Sequence, residues 1–207
     1  MDRLLEKFEQ DIRRLFSEQL IPEVCYHNLD HTLSIVSKVK EIGAYYKLDK
    51  SELDDLFFSG WLHDVGYWKG VALGHEKRGA EFAKEFLKSY DVSNSRIEII
   101  CQAILATKVP QSPKNLMESI ICDADLYHLS SDQFYAQTIL LKKENEQLNG
   151  ESLDLLDWLR SSEKFMENHH YHTAYAVKFF RPGKIENLKF LRSKIEELAN
   201  AELKSSQ

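Results

Sequence analysis

Apolar residues recur every three or four positions along most of this chain, the spacing of helices that bury one face. Leu4, Leu5, Phe8, Ile12, Leu15 and Phe16 predict a first amphipathic helix that ends before Pro22. Leu33, Val36, Val39 and Ile42 mark a second, over about residues 29 to 47. Ser51 is placed to cap a third, with Leu53, Leu56, Phe57 and Leu62 beyond it. The pattern breaks between Gly66 and Gly74 and resumes from Glu76 to Ser89, with Ala80, Ala83, Phe86 and Leu87 facing inward. Ser95 is positioned to cap a helix reaching Thr107, and VPQSPKN reads as a loop. A strongly apolar helix follows from Leu116 to Leu129. Two more, about 131 to 148 and 151 to 166, flank a turn at Asn149 and Gly150. Pro182 and Gly183 read as a turn before a last helix from Ile185. No segment alternates with the period of two that a half-buried strand requires, so an all-α array is expected. The 207 residues suffice for one core, so residues 1–207 are expected to form a single domain.

Composition narrows the chemistry. Against 27 Lys and Arg stand 33 Asp and Glu, a formal net charge of -6, which argues against an extended nucleic-acid partner. A small phosphorylated molecule remains compatible with an acidic protein if a cation supplies the local positive field. Cys25, Cys101 and Cys122 are scattered and odd in number, so they read as reduced thiols. The opening MDRLLEKFEQ lacks the apolar run of a signal peptide, and no stretch is long and apolar enough to span a membrane. A cytoplasmic location without membrane partners is the resulting expectation, with a homodimer left open.

Three polar clusters interrupt the apolar pattern. In WLHDVGYW, His63 and Asp64 are neighbours, about 100° apart around a helix axis, and can serve one cation only near a helix end. Val65-Gly66 supplies such an end, where a carboxylate meets the unfavourable pole of the helix dipole. A core histidine beside a hydrogen-bonded aspartate would give the same pair. In YHNLDHT, His27 and His31 lie four apart and share a face if helical, which suits one metal ligand and one proton donor. In ICDADLYHL, a carboxylate inside so apolar a run costs several kcal/mol unless it is paired or bound to metal. Asp123 and Asp125 cannot point the same way, so Asp125 as ligand and Asp123 as a supporting acceptor is a consistent division; pairing of both with Lys or Arg is the competing one. Two imidazoles and two carboxylates suit a divalent ion such as Mn, Zn, Fe, Ni, Co or Mg. Such an ion lowers the pKa of a bound water and neutralises phosphoryl oxygens, which favours hydrolysis.

From about residue 26 to 129 the chain resembles the HD superfamily of metal-dependent phosphohydrolases, named for its His-Asp doublet. The resemblance implies a single-domain HD-type helical array with His31, His63, Asp64 and Asp125 as metal ligands. YHNLDHT and ADLYH further resemble signatures of the superfamily's cyclic-nucleotide phosphodiesterases, which implies His27 as general acid and favours Asp125 over Asp123. The phosphodiesterases usually carry another Asp and His after the doublet, where this chain has Gly66 and Tyr67, and no purine-clamping glutamine region is evident. Its length fits the smaller bacterial HD proteins better.

The resemblance implies hydrolysis of a phosphate ester, of a nucleotide or a related small molecule; in such a mechanism Asp64 or Asp123 is placed to orient the nucleophile. Gly74-His75-Glu76 opens a helix whose free N–H groups could receive phosphate, with His75 in contact and Glu76 as a second-metal ligand if it faces the same cavity. Lys69 can pair with a phosphoryl oxygen as a mobile charge, and Tyr67 can stack on a base, as can Trp61 and Trp68. His128, one helical step past Asp125, can orient it or contact substrate. His169 and His172 share a face if helical and, with His170, suit a pocket wall or gate. The alternatives are a cyclic-nucleotide phosphodiesterase and a non-catalytic helical binding protein stabilised by metal.

Overall fold

The computed structural model describes residues 3–205. These residues form ten α-helices and two short 3-10 helices, and no strand occurs among them. No helix among the described residues is long and apolar enough to cross a membrane. The chain divides into two compact units, Met1–Asp125 and Leu126–Gln207.

The first unit holds α1 (Arg3–Gln19), α2 (Leu29–Tyr45), α3 (Lys50–Leu62), α4 (His75–Lys88), α5 (Asn94–Ala106) and α6 (Leu116–Asp125). Phe8, Ile12 and Phe16 recur at four-residue spacing on α1 and are all buried. Phe8 meets Phe58 of α3 edge-on at 4.8 Å between ring centroids, and Phe16 meets Trp68 at 5.1 Å. Burying each such ring contributes about 2–3 kcal/mol. α3 is nearly all apolar at its second half, and residues Asp55 to Leu62 are buried on every side. α2 can approach α3 closely because Gly60 has no side chain: a Cβ there would lie 3.3 Å from Val36 and 3.4 Å from Val39. α6 in turn packs on α2, α3 and α5, so three helices that carry His31, His63 and Asp125 meet.

The caps fall slightly upstream of the expected ones. α3 is capped by Asp49 rather than Ser51, because Asp49 and Glu52 form a reciprocal capping box: Glu52 N donates to Asp49 Oδ1 and Asp49 N to Glu52 Oε2, both at 2.9 Å. α5 takes Ser93, not Ser95, as its N-cap. The apolar helix stops at Asp125 and tightens into a 3-10 turn, Leu126–Ser130.

That turn opens the second unit, followed by α7 (Phe134–Asn149), α8 (Leu155–Asn168), α9 (Ala174–Phe179) and α10 (Arg181–Ser205). Leu129, Phe134, Leu159, Met166 and Leu191 form its core, and Trp158 Nε1 donates to Thr138 O at 3.0 Å. α10 begins at Arg181 and runs through Pro182 and Gly183, where the sequence predicts a turn. Proline in a first helical turn lacks only an N–H that has no helical partner anyway, so it starts the helix instead of breaking it.

Candidate metal centre

Each side chain of the centre is delivered by a helix end. His31 sits in the first turn of α2, whose N-cap Asn28 accepts from His31 N at 3.0 Å and donates from Nδ2 to Cys25 O at 2.7 Å. His27 therefore precedes the helix, so the two histidines do not share a helical face. His63 caps the C-terminus of α3, and Asp64 lies between it and a 3-10 turn, Val65–Tyr67. Asp125 is the last residue of α6.

These four side chains converge. One ligand atom from each of His31, His63, Asp64 and Asp125 lies within 4.8 Å of all the others, so the cluster can chelate a divalent metal. His63 Nε2 is 2.9 Å and His31 Nε2 3.2 Å from Asp64 Oδ2, and both nitrogens are 3.7 Å from Asp125 Oδ1. Despite this proximity, His31 Nε2, His63 Nε2 and Asp64 Oδ2 are buried and none makes a hydrogen bond of acceptable geometry. Leaving three buried polar atoms so would cost about 1–3 kcal/mol each, a cost that a shared cation removes.

The tautomer of His63 fits that role. Its Nδ1 lies 2.9 Å from Gly60 O, which can only accept, so Nδ1 carries a proton and the neutral ring presents the Nε2 lone pair. Electrostatics point the same way. Burial alone would lower the His31 pKa, but the adjacent Asp125 and Asp64 carboxylates outweigh it and hold the imidazole at about 9. His63 is likewise raised against its burial, by Asp64 first and then Asp125. Burial would raise Asp64, yet His63, His27 and His31 hold its carboxyl well below the usual range. The donor set is thus one where protons or a divalent ion compete for the same atoms.

Around this cluster lie three aromatic rings. His27 stacks on Tyr67 at 3.8 Å and 9° between planes, and its centroid is 5.7 Å from that of His31. Tyr67 is buried, with His75 4.0 Å from its centroid, so its ring is engaged by two histidines. His75, the first residue of α4, places Nε2 3.5 Å from Asp64 Oδ1 and 3.7 Å from Glu76 Oε1. Lys69 is exposed in the connection to α4, while Trp61 and Trp68 are buried in the core. Asp123 is fully buried and is not a member of the four-residue set.

The remaining histidines belong to the second unit. His128 lies in the 3-10 turn Leu126–Ser130. His169 is the extended C-cap of α8, so His169 and His172 do not lie on a helical face. Lys184 donates to His169 O and lies 3.3 Å from His169 Nδ1. Burial first, then the Lys184 charge, push the His169 imidazole down to about 3.

Sequence reasoning missed the backbone groups that face the ring Nδ1 atoms of His63 and His75, the carbonyls of Gly60 and Ala72. A carbonyl is present at every residue and carries no signal in the sequence.

A His-Asp doublet among four converging nitrogen and oxygen donors on an all-helical array is typical of one class of metal-dependent hydrolases. Residues 28–130 match the family described as HD domain. The chain has the fold of the HD superfamily of metal-dependent phosphohydrolases, with a clustered His, His, Asp and Asp site able to chelate a divalent metal. Among solved structures, it is similar to a crystal structure described as a predicted HD superfamily hydrolase from an uncultured Thermotogales bacterium. The identity is 19%, with 76% of this chain and 88% of that chain covered and a TM-score of 0.54. No curated protein matches the chain.

Proposed function

We propose that this protein hydrolyses the phosphate ester of a nucleotide or a related small metabolite, with His31, His63, Asp64 and Asp125 as ligands of one divalent ion. The observation that carries the reading is the trio of buried atoms, His31 Nε2, His63 Nε2 and Asp64 Oδ2, that lack hydrogen bonds beside Asp125. When bound, the ion supplies Lewis acidity toward a phosphoryl oxygen and acidifies a water.

The chain's own groups do the rest. His27, stacked on Tyr67 outside the ligand set, delivers a proton from its imidazole to the leaving oxygen. Asp64 uses Oδ1, the oxygen on the His75 side, to accept a hydrogen bond from the attacking water and orient it. His75, with both ring nitrogens protonated, donates from Nε2 to the phosphoryl group, and Lys69 adds positive charge from the exposed connection. In an acidic protein this local arrangement draws an anionic substrate to one place.

Metal-loaded protein incubated in parallel with 5'-mononucleotides, deoxynucleoside triphosphates and cyclic nucleotides tests the reading. Release of inorganic phosphate from one of the first two classes is expected. Cleavage confined to cyclic nucleotides replaces the monoesterase reading with a phosphodiesterase. A metal-dependent rise in melting temperature without any hydrolysis leaves a binding protein. His27→Gln is expected to retain metal and lower kcat by about 10²–10⁴-fold, most for poor leaving groups; loss of metal would move His27 among the ligands.

A further inference from the structure

The connection between Tyr67 and α4 has little packing of its own. Val71 is 51% and Leu73 90% exposed, and Lys69 and Ala72 are exposed as well. Few buried contacts would ordinarily leave such a segment loose. The Ala72 carbonyl nevertheless makes two specific contacts, accepting from His75 N at 3.2 Å and lying 2.9 Å from His75 Nδ1. Because a carbonyl only accepts, Nδ1 carries a proton in either charge state of the ring, and Nε2 alone is left to face Asp64 Oδ1 at 3.5 Å.

One side chain holds this connection. Arg78, one turn into α4, donates from Nη1 to Leu73 O at 2.8 Å and from Nη2 to Val71 O, the carbonyls on either side of Ala72. It also donates from Nε and Nη2 to Gly66 O, at 3.2 and 3.1 Å. Gly66 lies two residues past Asp64 and is itself pressed against the backbone of His75, where a Cβ would overlap the His75 carbonyl. A single planar group thus joins the segment leaving Asp64 to the segment entering His75.

We propose that Arg78 is a positioning residue for His75: by fixing the carbonyls of Val71, Leu73 and Gly66 it aims Ala72 O at Nδ1 and keeps Nε2 turned toward Asp64. The catalytic part of this inference rests on the phosphohydrolase reading above; the geometric part does not. Lysine cannot substitute, since an ammonium is a point donor without the spread of a guanidinium fork that reaches all three carbonyls.

The test uses Arg78→Lys in the full chain, with imidazole 15N shifts of His75, assigned by comparison with His75→Gln, recorded on metal-free protein in mildly alkaline buffer. The parent is expected to show the shift pair of one tautomer, protonated at Nδ1, and the variant a mixture. With metal loaded, kcat is expected to fall about tenfold at unchanged metal content. The double variant Arg78→Lys/His75→Gln is expected to be no slower than His75→Gln alone. A single His75 tautomer in Arg78→Lys, or a full further tenfold loss in the double variant, overturns the proposal. Arg78→Gln gives the same readings should the lysine variant not fold. A tautomer mixture in the variant of a protein that hydrolyses no phosphate ester upholds the positioning role and overturns the hydrolase reading instead.

Discussion

Asp55 within α3 and Asp64 just beyond it are buried almost equally, at 4% and 5% exposed, yet they sit in opposite situations. Asp55 Oδ1 accepts from Arg96 Nε at 2.8 Å, with Nη2 at the same distance, so its charge is matched by a cation built into α5. Burial still raises its pKa, and Arg96 offsets only part of that. Asp64 faces two imidazoles and a second carboxylate, and its Oδ2 is left without a directed hydrogen bond. Its carboxyl is held well below the usual range, against the burial that would raise it. Burial of a carboxylate therefore does not mark a site. What marks it is whether the neighbours satisfy the charge with a built-in partner or leave matching atoms unsatisfied around it.

The largest test of this contrast removes each carboxylate's function in turn. Asp64→Ala is expected to abolish metal-dependent turnover and bound metal together, read by elemental analysis beside an activity assay; full metal content with parental turnover would end the ligand assignment. Arg96→Ala strands the Asp55 carboxylate and is expected to cost about 2 kcal/mol of stability by urea unfolding, a value kept modest because Arg96 is partly exposed. Its metal content should equal that of the parent. Equal stability loss and metal loss in both variants would erase the distinction.

A smaller effect concerns protons. In metal-free protein the raised His31 pKa contributes stability that is fully present below the unfolded value of 6.5 and is lost as pH rises through about 9. The depressed Asp64 contributes stability present above the unfolded value of 3.8 and lost as pH falls through its folded value. The melting temperature of metal-free protein should therefore decline between about pH 6.5 and 9 more than that of His31→Gln. Metal binding near neutral pH should release protons, read as a dependence of calorimetric heat on the buffer's ionisation enthalpy. A heat independent of buffer would show that the imidazoles are already neutral.

These contrasts also explain what could be read from residues alone. The helices were legible because Phe8, Ile12 and Phe16, or Val36, Val39 and Ile42, repeat at a spacing only one structure uses. Helix starts were less so: Asp49, with its side-chain oxygen, caps α3 in place of Ser51, and Ser93 occupies the N-cap position of α5 in place of Ser95 without a side-chain cap bond. Pro182 misled because its meaning reverses between a helix interior and a first turn. A doublet at a helix end and carboxylates in an apolar run signalled a site, but the choice of His31, His63, Asp64 and Asp125 as its members came from the resemblance to the HD superfamily, and these four converge. Arg78 was not legible, because all its partners are backbone carbonyls and an arginine in an amphipathic helix resembles any solvated one. Nor could His27 be placed: its separation from the α2 face follows from the Asn28 cap, which ends the helix just short of it.

The four converging side chains come from α2, the end of α3 and the end of α6, segments far apart along the chain. An ion gripping all of them would bind the folded arrangement and not the unfolded chain, so it would stabilise by mass action and tie the opening of any one segment to the loss of the ion. Amide hydrogen exchange in α2, α3 and α6 should then slow in concert on loading, binding the fate of three helices to the occupancy of a few cubic ångströms.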